Sequence, residues 1–310
     1  MNRHRPSFFK MVRAPFLSSI ITPLITGTLM AFTITGILDV FNWIVVILMG
    51  IGLHMATNVY NDIYDTLQGT DKINVHRNEF SGGSGVLVDY PNLQSVMYRV
   101  ARFSLVGALI ATIVLLFRIN ATWRLYLIFL FLFSAFFSKY YTAAPIKLSY
   151  RGWGEFFVWF AFGPMAVLVA AVSQNVGFHK IILILMPISG ISTLSILLIG
   201  QMIDFEADKA TGKWGVAVRL GNKATSYIYL FVQIILCINI ILLSLFFLDD
   251  GWPILLSLIP YILLAPKIIK ILICNAGDLK MLQKAAKFNV FLHLLFSSLF
   301  ILSIILMLVL

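Results

Sequence analysis

Long apolar runs, broken by short polar segments, dominate this chain. Nine stretches, near 15–38, 42–62, 97–117, 121–139, 154–175, 181–203, 224–247, 252–272 and 286–309, reach the length of about 20 residues that crosses a bilayer's hydrocarbon core. The pattern predicts an all-α polytopic membrane protein, with nine transmembrane helices around a central cavity. Residues 1–310 read as a single domain, with polar motif loops at about 58–96 and 201–223. The second and sixth apolar runs end in acidic motifs, so their helices are expected to continue past the apolar part.

Composition strengthens this reading. The chain is 60% hydrophobic and 12% charged, with mean hydropathy +0.94, and a soluble domain could not bury so much apolar surface. Cys237 and Cys274 sit singly in apolar runs and supply neither a disulfide framework nor a metal cluster. The basic start, MNRHRPSFFKMVRAPF, leads into a full span without a small-residue cleavage site, which predicts a retained first helix.

The formal charge of +10 would suit nucleic acid, but its distribution points to a lipid bilayer instead. Arg3, Arg5, Lys10 and Arg13 precede the first span. Lys72, Arg77, Arg99 and Arg102 follow the second, and Lys139, Lys147 and Arg151 the fourth. Lys209, Lys213, Arg219 and Lys223 follow the sixth; Lys267, Lys270, Lys280, Lys284 and Lys287 surround the eighth-to-ninth connection. Twenty of the 23 cations thus fall on one side, against Arg118, Arg124 and Lys180 on the other. The positive-inside rule then predicts a cytoplasmic N-terminus and cytoplasmic even-numbered loops.

The acids are concentrated too, although a carboxylate at membrane depth is costly. His54, Asn58, Asn61, Asp62 and Asp65 recur at helical spacing and form one stripe at the end of the second span, followed by Gly69 and Asp71. Gln201, Asp204 and Asp208 form a second stripe at the end of the sixth; Glu206 points elsewhere. Carboxylates four apart on a helix repel unless a cation bridges them. Spans 1–4 and 5–8 would be parallel repeats bringing both stripes to one cavity. Oxygen donors without Cys or His clusters select a hard ion such as Mg²⁺. Lys72, Arg77, Lys147, Lys209, Lys213 and Arg219 offer counter-charges for a diphosphate. Phe80-Ser-Gly-Gly-Ser-Gly85 has backbone N–H groups that would either approach an anion or form a plain turn.

Asn61-x₃-Asp65-x₃-Gly69-x-Asp71, with Asp204-x₃-Asp208-Lys-x₂-Gly212-Lys and Val218-Arg-Leu-Gly221, resembles the UbiA superfamily of intramembrane prenyltransferases over essentially the whole chain. Gly69 with Asp71, where many 4-hydroxybenzoate enzymes carry Asp at the position of Gly69, is more similar to the 1,4-dihydroxy-2-naphthoate branch of menaquinone biosynthesis. So are Tyr141-Thr-Ala-Ala-Pro-Ile-Lys147 and Tyr150-Arg-Gly-Trp-Gly-Glu155. The resemblance implies that Asn61 and Asp65 hold one Mg²⁺, and Asp204 and Asp208 another. Asp62, with Asp65 and Asp208, would serve catalysis or orient a ligand. Arg77 and Lys147, with Lys72 and Lys209, would contact the diphosphate of a polyprenyl donor. His54, Gln201 and Tyr141 are candidates for holding a small aromatic acceptor, or are satisfied polar residues within the bundle. The expected partners are the two substrates and the bilayer, with no nucleic acid and no obligate protein partner. The alternatives are another acceptor (4-hydroxybenzoate, a tetrapyrrole or a lipid head group) and a secondary transporter. Twenty-six Phe invite a cation–π role, but the sequence singles none out.

Overall fold

The computed structural model describes residues 6–78 and 81–310. Arg3, Arg5 and Phe80 lie outside the described residues. Within them, nine helices are long and apolar enough to cross a membrane: α1 Ala14–Thr35, α2 Val40–Gln68, α3 Pro91–Arg118, α4 Ala121–Tyr140, α5 Gly154–Ser173, α6 Lys180–Ile203, α7 Asn222–Phe247, α8 Trp252–Cys274 and α9 Leu279–Val309. In hydrocarbon every backbone N–H and C=O needs an internal partner, and a helix supplies those partners within one segment. The nine apolar stretches of the sequence are these nine helices.

Helix α2 is the longest before α9. The Asp39 side chain caps its start by accepting the Asn42 N–H at 2.9 Å, and Gly69, at φ 95°, ends it in left-handed conformation. Its 29 residues span roughly 43 Å at about 1.5 Å per residue, more than the hydrocarbon core of about 30 Å. The helix is therefore long enough for its last two turns, with Asn61 and Asp65, to extend past an apolar layer. Helix α6 departs from expectation. It stops at Ile203, and a separate short helix runs from Phe205 to Ala210. The break falls on Asp204 (φ −84°, ψ 5°), while the Asp208 N–H still donates to the Asp204 carbonyl at 2.9 Å. The two carboxylates thus stay one turn apart.

The core lies in three apolar clusters. One joins α6, α7, α8 and α9 to the end of α1, and a second joins α1 through α5. The third sits at the motif end, where Val12, Val59, Ile63, Val86 and Met97 tie the N-terminal segment and the loop after α2 to α3. Helix α6 is central, with 67% of its apolar window buried against 22% for α4, whose other faces meet lipid.

Small residues let α5 and α6 approach closely. A Cβ on Gly163 would lie 3.0 Å from the Gly190 Cα, and one on Gly190 would collide with the Trp159 carbonyl. Gly190→Val is expected to lower the thermal midpoint in detergent, by overpacking worth about 1–3 kcal/mol or more. Gly107→Ala, at an exposed helix-interior position with nothing near the added carbon, should not lower it. Equal midpoints for Gly190→Val and the parent would refute this account of the crossing.

Candidate active site

The two acidic stripes meet at one end of the bundle. Asn61 Nδ2 donates to Asp65 Oδ2 at 3.0 Å and to Thr142 Oγ1 at 2.9 Å. The other Asp65 oxygen accepts the Tyr150 hydroxyl at 2.7 Å, and Thr70 Oγ1 lies 2.6 Å from that hydroxyl. Tyr150 and Thr142 belong to the segment after α4, so this connection fixes the carboxylate's orientation.

The second motif closes over the first through a helix end. Gly212, at φ 70°, turns the chain back: its N–H bonds the Lys209 carbonyl and the Lys213 N–H bonds the Asp208 carbonyl at 2.8 Å. Lys213 is thereby folded inward, with Nζ 3.0 Å from Asp65 Oδ2 and 3.7 Å from Asp208 Oδ1. That Asp208 oxygen is buried and has no hydrogen-bond donor. Burial pushes the Asp208 carboxyl up to about 7, against the pull of Lys213. Burial, with Asp65 and Asp62 adding repulsion, pushes Asp71 up to about 8. The Lys213 ammonium is held charged by Asp208 and Asp65 despite its own burial.

The glycine-rich loop after α2 joins the two motifs. Gly82 N–H donates to Asp204 Oδ2 at 3.0 Å, and Asn74 Nδ2 to Asp204 Oδ1 at 2.8 Å. Ser84 N–H donates to Asp62 Oδ1 at 3.1 Å, while Arg13 Nη1 reaches the same oxygen at 4.0 Å. Gly83, at φ 70°, leaves no room for a side chain, because a Cβ would press on Asp71 and Asp62. Two loop amides read as anion donors are thus committed to carboxylates. Asp62 anchors the loop through Ser84 and is not among the residues bordering the cavity.

These groups surround a cavity of ≈ 190 Å³, lined by Asn61, Asp65, Asp71, Asp204, Asp208 and Lys213, with Arg13 at its edge. His54, Gln201 and Tyr141 also line it. A second cavity of ≈ 130 Å³, walled by residues such as Leu24, Met49, Phe133 and Phe157, adjoins it and shares five of its lining residues. The four cations assigned to the diphosphate stand elsewhere. Arg77 packs against Gly85 and pairs with Asp89 at 3.4 Å, Lys147 lies 5.5 Å from the Tyr150 ring, Lys209 lies over Phe205, and Lys72 is exposed. Lys213 and Arg13 are the cations the cavity receives. Lys213 was among the counter-charges the sequence offered, and Gly212 ahead of it was a further signal, since a glycine closing a helix reverses the chain there. Arg13 gave no signal within its basic cluster. Glu155 ends the Tyr150-Arg-Gly-Trp-Gly-Glu155 motif but was given no role there. It accepts Gln201 Nε2 at 2.8 Å and the Val216 N–H at 2.6 Å, which fixes the Gln201 amide.

Among the described residues no three His, Cys, Asp or Glu side chains converge on one point. The donors present are pairs, an Asn–Asp pair and an Asp–Asp pair, with the Lys213 ammonium already standing as a cation between Asp65 and Asp208. Pairs of oxygen donors fit Mg²⁺, which takes one or two carboxylates and completes its shell with water and phosphate oxygens.

An acid-lined cavity and an apolar one that share part of their walls thus lie within a bundle whose described residues include nine helices long and apolar enough to cross a membrane. The chain belongs to the UbiA prenyltransferase family, which residues 20–295 match. Prenyl transfer replaces the carrier alternative. The chain is 26% identical over 226 residues to 2-carboxy-1,4-naphthoquinone phytyltransferase of Synechocystis sp., covering 72% of this chain and 69% of that protein. It is 25% identical over 216 residues to 1,4-dihydroxy-2-naphthoate octaprenyltransferase of Bacillus subtilis, covering 69% and 66%. The chain thus spans about two thirds of these relatives' lengths. A UbiA homolog from Archaeoglobus fulgidus bound to DMAPP and Mg²⁺ shares the fold, with TM-score 0.58 at 12% identity over 95% of this chain and 99% of that one.

Lys213→Met is expected to strip two buried carboxylates of their partner. In protein free of divalent ions it should lower stability by about 3–5 kcal/mol, read as a drop in thermal midpoint. A midpoint equal to the parent's would contradict the assignment of Lys213 as the inner cation.

Proposed function

We propose that the chain transfers a polyprenyl group from polyprenyl diphosphate to 1,4-dihydroxy-2-naphthoate, with the single domain 1–310 holding its site on the cytoplasmic face. The observation that carries the donor half is the junction of an acid-lined cavity with an apolar one. A polyprenyl diphosphate has that same division between a charged head and a hydrocarbon tail. The acceptor rests on Gly69 and Asp71 together with the naphthoate and naphthoquinone prenyltransferases among the relatives. The cytoplasmic placement rests on the distribution of Lys and Arg.

Asn61 with Asp65 and Asp204 with Asp208 would hold two Mg²⁺ ions. Mg²⁺ bound there supplies Lewis-acid stabilisation to the departing pyrophosphate. The chain's own residues do the rest. Lys213 and Arg13 bring fixed positive charge to the leaving group where water is scarce, so their effect is stronger than in bulk solvent. Tyr150 and Thr142 keep Asp65 and Asn61 oriented, and the glycine loop covers the cavity, limiting water's access to the allylic carbon. Gln201, with its amide fixed by Glu155, and His54 and Tyr141 would position the acceptor ring.

Purified protein in detergent, given Mg²⁺, a polyprenyl diphosphate and a panel of acceptors, is expected to release pyrophosphate with 1,4-dihydroxy-2-naphthoate. Product with 4-hydroxybenzoate alone would move the acceptor. No turnover by folded protein would overturn the proposal. Asp65→Asn and Asp208→Asn should each lower the rate roughly 10²-fold or more while still inserting into membranes. An undiminished rate in either variant would remove that carboxylate from the metal set.

A further inference from the structure

Five residues border both cavities: His54, Thr57, Tyr141, Val158 and Phe162. They form a collar between the acid-lined space and the apolar one. In an allylic diphosphate, C1 is the atom that joins head to tail. With the diphosphate among Asn61, Asp65, Asp204 and Asp208 and the hydrocarbon in the apolar cavity, the C1–O bond falls at the collar. This step rests on the prenyl-transfer reading above.

When that bond breaks, its electron pair leaves with pyrophosphate and C1 becomes one end of an allylic cation. A ring carbon of the acceptor then bonds to C1, and the ring loses a proton or its carboxylate as carbon dioxide. The collar must stabilise the cation without capturing it. Most of its members serve poorly. The Thr57 hydroxyl donates to the Leu53 carbonyl at 2.8 Å, Val158 is a plain aliphatic, and His54 and Tyr141 carry heteroatoms that compete as nucleophiles. Phe162 offers a π face and no nucleophilic atom.

The backbone holds that ring in place. Phe162 belongs to a π-helical turn, Ala161–Met165, inside α5. Such turns recur at functional sites, and here Pro164 removes one N–H from the helical ladder. Gly163, next in sequence, is pressed against Gly190 of α6, so the turn cannot withdraw. The His54 ring packs against Phe162 at 4.8 Å between centroids, inclined by 69°. Of the phenylalanines lining either cavity, including Phe16, Phe133, Phe137, Phe157 and Phe160, Phe162 borders both.

We propose that Phe162, at the collar between the polar and apolar cavities, is a catalytic residue that stabilises the allylic cation through its ring face. The test replaces Phe162, in the full-length protein, by phenylalanines carrying one, two and three ring fluorines. Fluorination withdraws π density while nearly preserving shape. The single-turnover rate is expected to fall stepwise along the series, with the KM for donor and the thermal midpoint close to the parent's. Phe162→Leu, which keeps the bulk and removes the π face, should slow that step roughly tenfold or more. A flat rate across the fluorinated series, in a protein whose parent turns over, overturns this inference alone. Absence of turnover by the folded parent overturns the prenyl-transfer reading and this inference together.

Discussion

Carboxylates buried at the end of a membrane bundle repel one another, and the motif end is built around that repulsion. Asp65, Asp71, Asp204 and Asp208 border one cavity, and the cations bordering it among the described residues are Arg13 and Lys213. Removing a carboxylate from water costs several kcal/mol even after relaxation, so each must be neutralised, hydrogen-bonded or paired. Asp71 and Asp208 respond by holding protons more tightly. Asp65 takes Tyr150, Asn61 and Lys213; Asp204 takes Asn74 and the Gly82 amide. The remaining deficit of positive charge is what divalent ions would fill. Lys213 shows the demand directly, since a lysine chain is folded into the site to sit between two motifs far apart in sequence.

That demand also explains the local folding. Gly212 ends the short helix so that Lys213 can reach inward, and Gly83 lets the loop lie flat against Asp62 and Asp71. The break in α6 at Asp204 serves the same end. There Asp204 accepts from the loop donors, while Asp208, one turn on, lies beside Lys213. Loop, helix end and N-terminal segment are thus held both by the acids they cover and by the apolar cluster of Val12, Ile63 and Val86.

Much of this was legible in the chain. Nine apolar runs became nine helices because hydrophobic length is a strong signal and the bilayer leaves the backbone few options. Asn61, Asp65, Asp204 and Asp208 come to line one cavity because helical periodicity gathers residues onto one face of each span. The cations were harder. Lys72, Arg77, Lys147 and Lys209 carry the right charge, but a flexible side chain in a loop has no periodicity to fix its direction. Lys213 and Arg13 were selected instead by backbone turns with positive φ, at Gly212 and at Arg13 itself. Glu155 was hidden for a similar reason. It looks like an interfacial acid at a helix start, and its role appears only when the chain near Val216 returns to it.

The same contrast separates the aromatic residues. The chain's twenty-six phenylalanines are hard to tell apart in sequence, because packing against hydrocarbon tolerates most of them at most places. What distinguishes Phe162 is a boundary condition: it stands where the acidic cavity gives way to the apolar one. A substrate with a charged head and a hydrocarbon tail places its reacting bond at such a boundary, so the chemistry is located by the meeting of two solvents within one protein. Helix α6 draws the line on the polar side with Gln201, and the π turn of α5 draws it on the apolar side with Phe162. Close packing of Gly163 on Gly190 ties those helices together at the boundary. The small-residue contact that lets the bundle pack thus also holds the polar and apolar halves of the site in register.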